Sequence, residues 1–332
     1  SGPILVLMPV RDLSRTDGLY RHAIAGKLHL SVHDLGQVEA LNRLGQRFGM
    51  RIPVHLYVDT GMSRAGLSEA ELVQLVSDLD AWRYVRVAGV YSHLATADSD
   101  VAFAHEQRQR FERLIDRVAD ALPQGVMRHL ANTCGLMRGP QFHFDLVRVG
   151  LGLLGYAPDL EPDDTAQGKG KQSKQAAQAT EDSPLAGLLR PVVRWVSRVV
   201  HVQRYESGSP VGYQSTHRLK RSSVLGVVPV GYGDGYPLLL SNRGVVRVQP
   251  AGATEPVGTA RVLGCVNMDQ IVIDLTELAQ DHPGTLLEAT VELISADPEA
   301  PNALPRLAAM ARSHCYEMLC RLSPRLPRRY VK

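Results

Sequence analysis

An arginine set among valines and leucines, followed at once by alternating glycines, holds the most chemistry in this sequence. The stretch FDLVRVGLGLLG (144–155) reads as a short apolar strand interrupted by Arg148 and broken by Gly150 and Gly152. A guanidinium left unpaired inside a strand costs several kcal/mol, so its charge must meet something at the strand end. Free amides around the glycines form a concave nest suited to a phosphate. One cation and one phosphate nest at one strand end point to a phosphorylated cofactor. The alternative is a surface strand whose Arg148 pairs with Asp145.

Further polar groups recur after apolar runs: Asp59 with Thr60, Gly61, Met62, Ser63 and Arg64, then Ser92 and His93, then Asn132 and Thr133. Alone, His93 reads as a satisfied core histidine and Asn132 as a helix cap. Together they place a reactive group at four successive strand ends. A later string, VGYGDGYP (230–237), sets Tyr232 and Asp234 among three glycines and presents a phenol on a tight turn.

The elements that must position these groups alternate. Strands are predicted at 4–8, 28–32, 54–58, 87–92, 127–131 and 144–149, with helices at 36–48, 68–79 and 102–122 between them. Ser68 and Glu71 spell a capping box at the start of the second helix. Strand–helix alternation argues a parallel sheet wrapped by helices, and polar groups at successive carboxyl ends argue a (β/α)8 barrel. Six units are visible where a barrel has eight. At roughly 30 residues per unit, about 60 further residues are expected ahead of residue 1.

The barrel portion is assigned to 1–156. Residues 157–186 are a polar, Gly- and Lys-bearing run with almost no large apolar side chain, expected to be a disordered insertion or linker. From 187 to 332 the pattern switches to short β-branched runs, at 192–196, 199–200, 224–230, 245–248 and 271–275, which argue an all-β domain. The fold class is thus α/β, a partial TIM-type barrel followed by a C-terminal β domain.

The net charge of +3 is too small and scattered for a nucleic-acid surface, and no apolar run approaches the roughly 20 residues of a membrane span. Ile4–Met8 is too short for a signal-peptide core. Cys134, Cys265, Cys315 and Cys320 lack paired metal spacing and read as reduced thiols of a cytoplasmic protein.

Six strings, DTGMSRAG (59–66), SHLATAD (92–98), HLANTCG (129–135), FDLVRVGLGLLG (144–155), VGYGDGYP (230–237) and VNMDQIVIDLT (266–276), resemble in order the motifs of the alanine racemase family. The resemblance covers nearly everything except the polar run. It implies a pyridoxal 5'-phosphate enzyme, cytoplasmic, that interconverts L- and D-alanine and supplies D-alanine for the cell wall. By resemblance, Arg148 donates to the pyridine nitrogen, and Asn132, Thr133, Gly150 and Leu151 bind the phosphate. His93 lies beside the cofactor and bonds to the catalytic tyrosine. Arg64 steadies the cofactor phenolate and the substrate carboxylate, and Met268 offers that carboxylate its amide. Tyr232 is one of two general bases, contributed by the other subunit of a homodimer.

The family's other base is the lysine that carries the cofactor, in a Lys-x-x-x-Tyr-Gly-His motif absent from this sequence. Its six lysines, Lys27, Lys169, Lys171, Lys174, Lys220 and Lys332, match no catalytic motif. Tyr57, Leu154 and Pro324 also depart from common family residues. The leading expectation is an alanine racemase whose lysine lies in a segment ahead of residue 1. The alternative is a lysine-less cofactor-binding or regulatory dimer. An amino-acid decarboxylase is disfavoured, because related decarboxylases place an acidic residue where Arg148 stands.

Overall fold

In a strand, successive side chains face opposite ways, so a sheet packed under helices needs apolar residues at every second position. The computed structural model describes residues 2–14, 16–158, 160 and 186–331. Within it β1 (Ile4–Val6), β2 (Leu28–Val32), β3 (Ile52–Tyr57), β4 (Val85–Tyr91) and β5 (Met127–His129) form one parallel sheet in sequential order. Leu28, Leu30, Val32, Val54, Leu56 and Val90 join one continuous apolar core. The alternate positions, His29, Ser31, His55, Tyr57, Tyr91 and His129, give the opposite face a buried polar and aromatic lining.

Helices α1 (Tyr20–Ile24), α2 (Leu35–Phe48), α3 (Glu69–Ser77), α4 (Val101–Val118) and α5 (Thr133–Arg138) separate or follow the strands. Their starts are set locally. Asp34 accepts from the Gln37 amide, Asp100 from Phe103, and Ser68 and Glu71 form the predicted capping box. Gly49, at φ 66°, ends α2 in a left-handed turn that favours glycine.

The sixth expected strand, 144–149, is the main difference in this half. The chain runs alongside β5, with Asp145 N donating to Arg128 O and Arg148 N to Ala131 O, yet only a His129–Leu146 bridge is formed. Phe144, at φ 52°, breaks the extended conformation where the strand would begin. The 157–186 run falls almost wholly outside the described residues.

The chain divides into two compact units, Ser1–Leu153 with Ala157–Leu189, and Leu154–Tyr156 with Arg190–Lys332. The second unit is a seven-stranded antiparallel sheet. Its strands are β6 (Trp195–Arg198), β7 (His201–Tyr205), β10 (Ser223–Val228), β11 (Val245–Gln249), β12 (Gly258–Leu263), β13 (Ile271–Asp274) and β14 (Thr290–Ile294). Their order is β6-β14-β11-β12-β13-β10-β7, with β8 (Pro210–Val211) and β9 (His217–Arg218) paired separately. Sequence patterning placed a run at 199–200, where the chain only links β6 to β7, and missed β7, β8, β9, β12 and β14, the last two each interrupted by a charge. In β14 that charge is Glu292, only 4% exposed, which receives Arg194 Nε at 2.6 Å and Arg247 NH1 at 3.3 Å. Short helices α6 (Thr276–Asp281), α7 (Leu304–Met310) and α8 (Cys315–Arg321) complete this unit.

Candidate active site

Arg148 follows β5 into the polar face, where its guanidinium is held by neutral groups. NH2 donates to the carbonyls of Ser92 (2.7 Å) and Leu130 (3.0 Å), NH1 donates to His129 Nδ1 (2.7 Å), and the cation stands 5.0 Å from the Tyr91 ring centroid. Asp145 is engaged elsewhere, with both its oxygens on Arg128. The alternative pairing of Arg148 with Asp145 is therefore not the one formed. Burial lowers the Arg148 pKa to about 10, which leaves it charged at neutral pH. Its Nε is buried and lacks a partner among the described residues. A cavity of about 390 Å³ is lined in part by Arg148, Val149, Gly150, His29 and His55.

His93 sits beside this cation, its Nδ1 3.4 Å from Arg148 NH2. Burial, then the charges of Arg148 and Arg64, push its pKa down to about 4, so the imidazole is neutral at pH 7. Thr133 Oγ1 accepts from the Gly150 amide at 3.0 Å and the Gly152 amide at 3.5 Å, which ties the start of α5 to the Gly150–Gly152 turn. Leu151 is buried within that turn. Asn132 does act as a cap, accepting from the Gly135 amide at 2.9 Å.

The loop carrying Arg64 is shaped by Asp59, whose carboxylate accepts from the amides of Gly61, Met62 and Ser63. Ser63 takes a left-handed φ of 53° there. Thr60 Oγ1 joins Ser92 Oγ at 2.7 Å and ties this loop to the end of β4. Burial raises the Tyr57 pKa, while the charge of the neighbouring Arg64 guanidinium opposes that rise.

In the second unit, Tyr232 and Met268 lie on adjoining turns, with Tyr232 N donating to Asn267 O and Gly233 N to Met268 O. Both side chains are about half exposed, at 51% and 55%. The turn has no room for side chains at its glycines: a Cβ on Gly235, at φ 105°, would strike the Arg321 carbonyl. Arg325 ties the turn down, donating from Nε to Asp234 at 2.8 Å and from NH2 to Asp269 at 2.7 Å, while Asp234 also accepts from the Gly231 amide.

The structure thus brings together Arg148, His93, Thr133, Gly150 and Leu151 in one unit and Tyr232 with Met268 in the other. Sequence reading missed the buried histidines 29, 55 and 129 and the Arg325 clamp. The histidines had a signal, since polar residues at every second position of apolar strands mark a second lined face. Lys27, the one described lysine of the first unit, is exposed and precedes β2, at the amino end of the strands.

A parallel strand–helix array followed by an antiparallel β unit is the architecture of barrel-type pyridoxal-phosphate enzymes. The chain belongs to the alanine racemase family. Residues 1–158 match the family model for the alanine racemase N-terminal domain, and residues 192–330 match that for the C-terminal domain. The alanine racemase of Symbiobacterium thermophilum is 34% identical over 331 residues, 99% of this chain and 78% of that protein. That of Halothermothrix orenii is 30% identical over 292 residues, 88% of this chain and 69% of the other. Among solved structures, the alanine racemase of D-cycloserine-producing Streptomyces lavendulae superposes with a TM-score of 0.77 at 26% identity, over 99% of this chain and 77% of that one. The Bartonella henselae enzyme, with covalently bound pyridoxal phosphate, gives 0.73 at 26% identity, over 99% and 79%.

Proposed function

We infer that this chain binds pyridoxal 5'-phosphate and interconverts L- and D-alanine. The observation that carries the reading is Arg148: a buried guanidinium with neutral partners and a free Nε, next to the Thr133–Gly150 turn. Arg148 Nε is the donor left open for the cofactor, while the Gly150 amide, which donates to Thr133 Oγ1 in this structure, would have to turn from that hydroxyl to a phosphate. Arg148 would hold the pyridine nitrogen, and Asn132, Thr133, Gly150 and Leu151 the phosphate. Bound there, the cofactor supplies an electron sink that weakens the Cα–H bond of an amino acid.

Arg148 donates a hydrogen bond without giving up its proton, so it would leave a pyridine nitrogen unprotonated. It would thereby favour proton exchange at Cα over loss of carbon dioxide. Arg64 and the Met268 amide are assigned to the substrate carboxylate, and Arg64 also to the cofactor's phenolate. Tyr232 is assigned the proton transfer at one face of Cα, with His93 as its hydrogen-bond partner. Its half-exposed side chain, on a turn clamped by Arg325, suits delivery to the site of a second copy, so the working form is proposed to be a homodimer. A cytoplasmic location accords with D-alanine supply for the cell wall. Among the described residues no helix is long and apolar enough to cross a membrane.

The test uses the protein purified from its source cells, because this sequence lacks the lysine that the racemisation reading requires. Titration with pyridoxal 5'-phosphate, followed by its absorbance, measures binding, and chiral chromatography of L-alanine incubated with the loaded protein measures conversion. Sedimentation is expected to give about twice the mass of one chain. Binding together with D-alanine formation supports the reading. Binding without conversion favours the lysine-less binding or regulatory dimer, and no binding overturns both.

A further inference from the structure

Three histidines stand in one hydrogen-bonded line that ends on Arg148. His129 Nδ1 is 2.7 Å from Arg148 NH1, His129 Nε2 is 2.8 Å from His55 Nδ1, and His55 Nε2 is 3.0 Å from His29 Nδ1. All three are at most 8% exposed. Burial, followed by the charge of Arg148, lowers His129 to about 2. Burial followed by His29 and Arg148 lowers His55 to about 4, and His29 is lowered as well. Each therefore carries a single ring proton at pH 7.

Arginine can only donate, and this settles the rest of the line. His129 must present a bare Nδ1 to Arg148, so its proton is on Nε2 and points to His55. His55 then has a bare Nδ1 and donates through Nε2, and His29 accepts at Nδ1 and keeps its own proton on Nε2. The three lone pairs all face toward Arg148 and the three N–H bonds all face away.

The surrounding sequence makes room for this arrangement. A register shift between Val54 and His55 sets Gly89 opposite His55, and a Cβ at 89 would run into the His55 ring. The His129 ring is stacked on Tyr91 with centroids 4.8 Å apart and planes 3° from parallel, which fixes its orientation. Tyr91 is in turn stacked on Tyr57 at 4.8 Å and donates to Ser31 Oγ at 2.9 Å.

We propose that His129, His55 and His29 form a one-directional polar relay that stabilises and orients the buried Arg148 cation in place of a carboxylate, and that they are positioning residues for the cofactor-facing donor. A carboxylate partner would neutralise the guanidinium. Aligned imidazole lone pairs stabilise it while leaving its full charge for whatever acceptor meets Nε. Since Arg148 does not release a proton, the line has no proton source at that end, and it acts as a fixed dipole array.

The part of the proposal that concerns the cofactor rests on the reading of Arg148 given above; the relay itself does not, and the two are tested separately. In the full chain labelled with 15N-histidine, two-bond correlations in the absence of cofactor report each tautomer. Nε2–H forms are expected at His129, His55 and His29 at pH 7. An Nδ1–H form or an imidazolium at His129 or His55 would overturn the relay. His55→Gln can accept and donate in the same line, whereas His55→Leu fills the space without either. Binding of pyridoxal 5'-phosphate is expected to weaken by roughly three- to tenfold in His55→Leu, the scale of one hydrogen bond, and to recover in His55→Gln. Equal binding by both variants, with the Nε2–H tautomers present in the parent, would remove the positioning role and leave the relay as a structural device. Lack of binding by the parent chain would count against the cofactor reading and leave the tautomer result standing.

Discussion

Gly89→Ala separates packing from backbone effects at the centre of the first unit. Gly89 does not occupy a left-handed conformation, so alanine suits its strand and relieves the unfolded chain of glycine's extra freedom, a gain of about 0.5–1 kcal/mol. Against this, the new Cβ meets the His55 ring, which is 2% exposed and bonded at both nitrogens. Overpacking costs about 1–3 kcal/mol. Displacing the ring from a buried hydrogen bond costs about 1–3 kcal/mol more. The substitution should therefore destabilise the unit by about 1–5 kcal/mol. In a His55→Ala background the ring is gone, and Gly89→Ala should instead stabilise by about 0.5 kcal/mol. Urea unfolding followed by fluorescence reads this directly, because Trp195→Phe leaves Trp82 as the tryptophan of the first unit. An equal cost in both backgrounds would refute the argument that the glycine exists to admit His55.

Three further outcomes are expected. The first unit should lose stability as pH falls from about 7 to 4, because His55 and His129 stay neutral when folded, at about 4 and about 2, and bind protons when unfolded below about 6.5. His55 alone contributes a loss of order 3 kcal/mol by pH 4, and flat stability over this range in urea titrations would contradict it. Asp145→Asn removes the Arg128 pair and should cost about 1 kcal/mol at this exposed position, with affinity for pyridoxal 5'-phosphate unchanged; a large loss of affinity would tie Asp145 to Arg148 after all. Arg325→Ala releases Asp234 and Asp269 and, on the role proposed for Tyr232, should lower the racemisation kcat about tenfold or more with little change in KM for alanine, because the phenol loses its fixed orientation.

The strand–helix order of the first unit was legible because apolar runs, caps and the Ser68–Glu71 box are local signals. Gly89 and Gly235 were visible as glycines, but what crowds them was not, since the His55 ring and the Arg321 carbonyl arrive from distant parts of the chain. The sixth strand failed for a local reason with no composition signal, the positive φ of Phe144. β14 was hidden because Glu292 reads as a surface residue until its two arginine partners, 98 and 45 positions away, are in place. Residues 59–66, 92–93, 132–133 and 148 could be placed at strand ends because chemistry at a parallel sheet collects there. Their supports could not, because a hydrogen bond across three strands leaves no trace in spacing.

The polar face also explains why Arg148 is tolerated at all. Its three strongest acceptors are two carbonyls and an imidazole, and its π partner is Tyr91, whose own phenol is pushed up to about 12 by burial. None of these groups takes on negative charge near neutral pH. The guanidinium is thus paid for by dipoles distributed over β4, β5 and the segment between them, whereas a single carboxylate would concentrate the compensation at one oxygen pair. Distributed compensation makes the site depend on strand register: a shift of one residue in β3 would turn His55 to the apolar face and cut the line between His29 and His129. The bulge at Val54–His55 and the glycine opposite it are the local devices that hold that register, so the backbone irregularity and the charge belong to one arrangement.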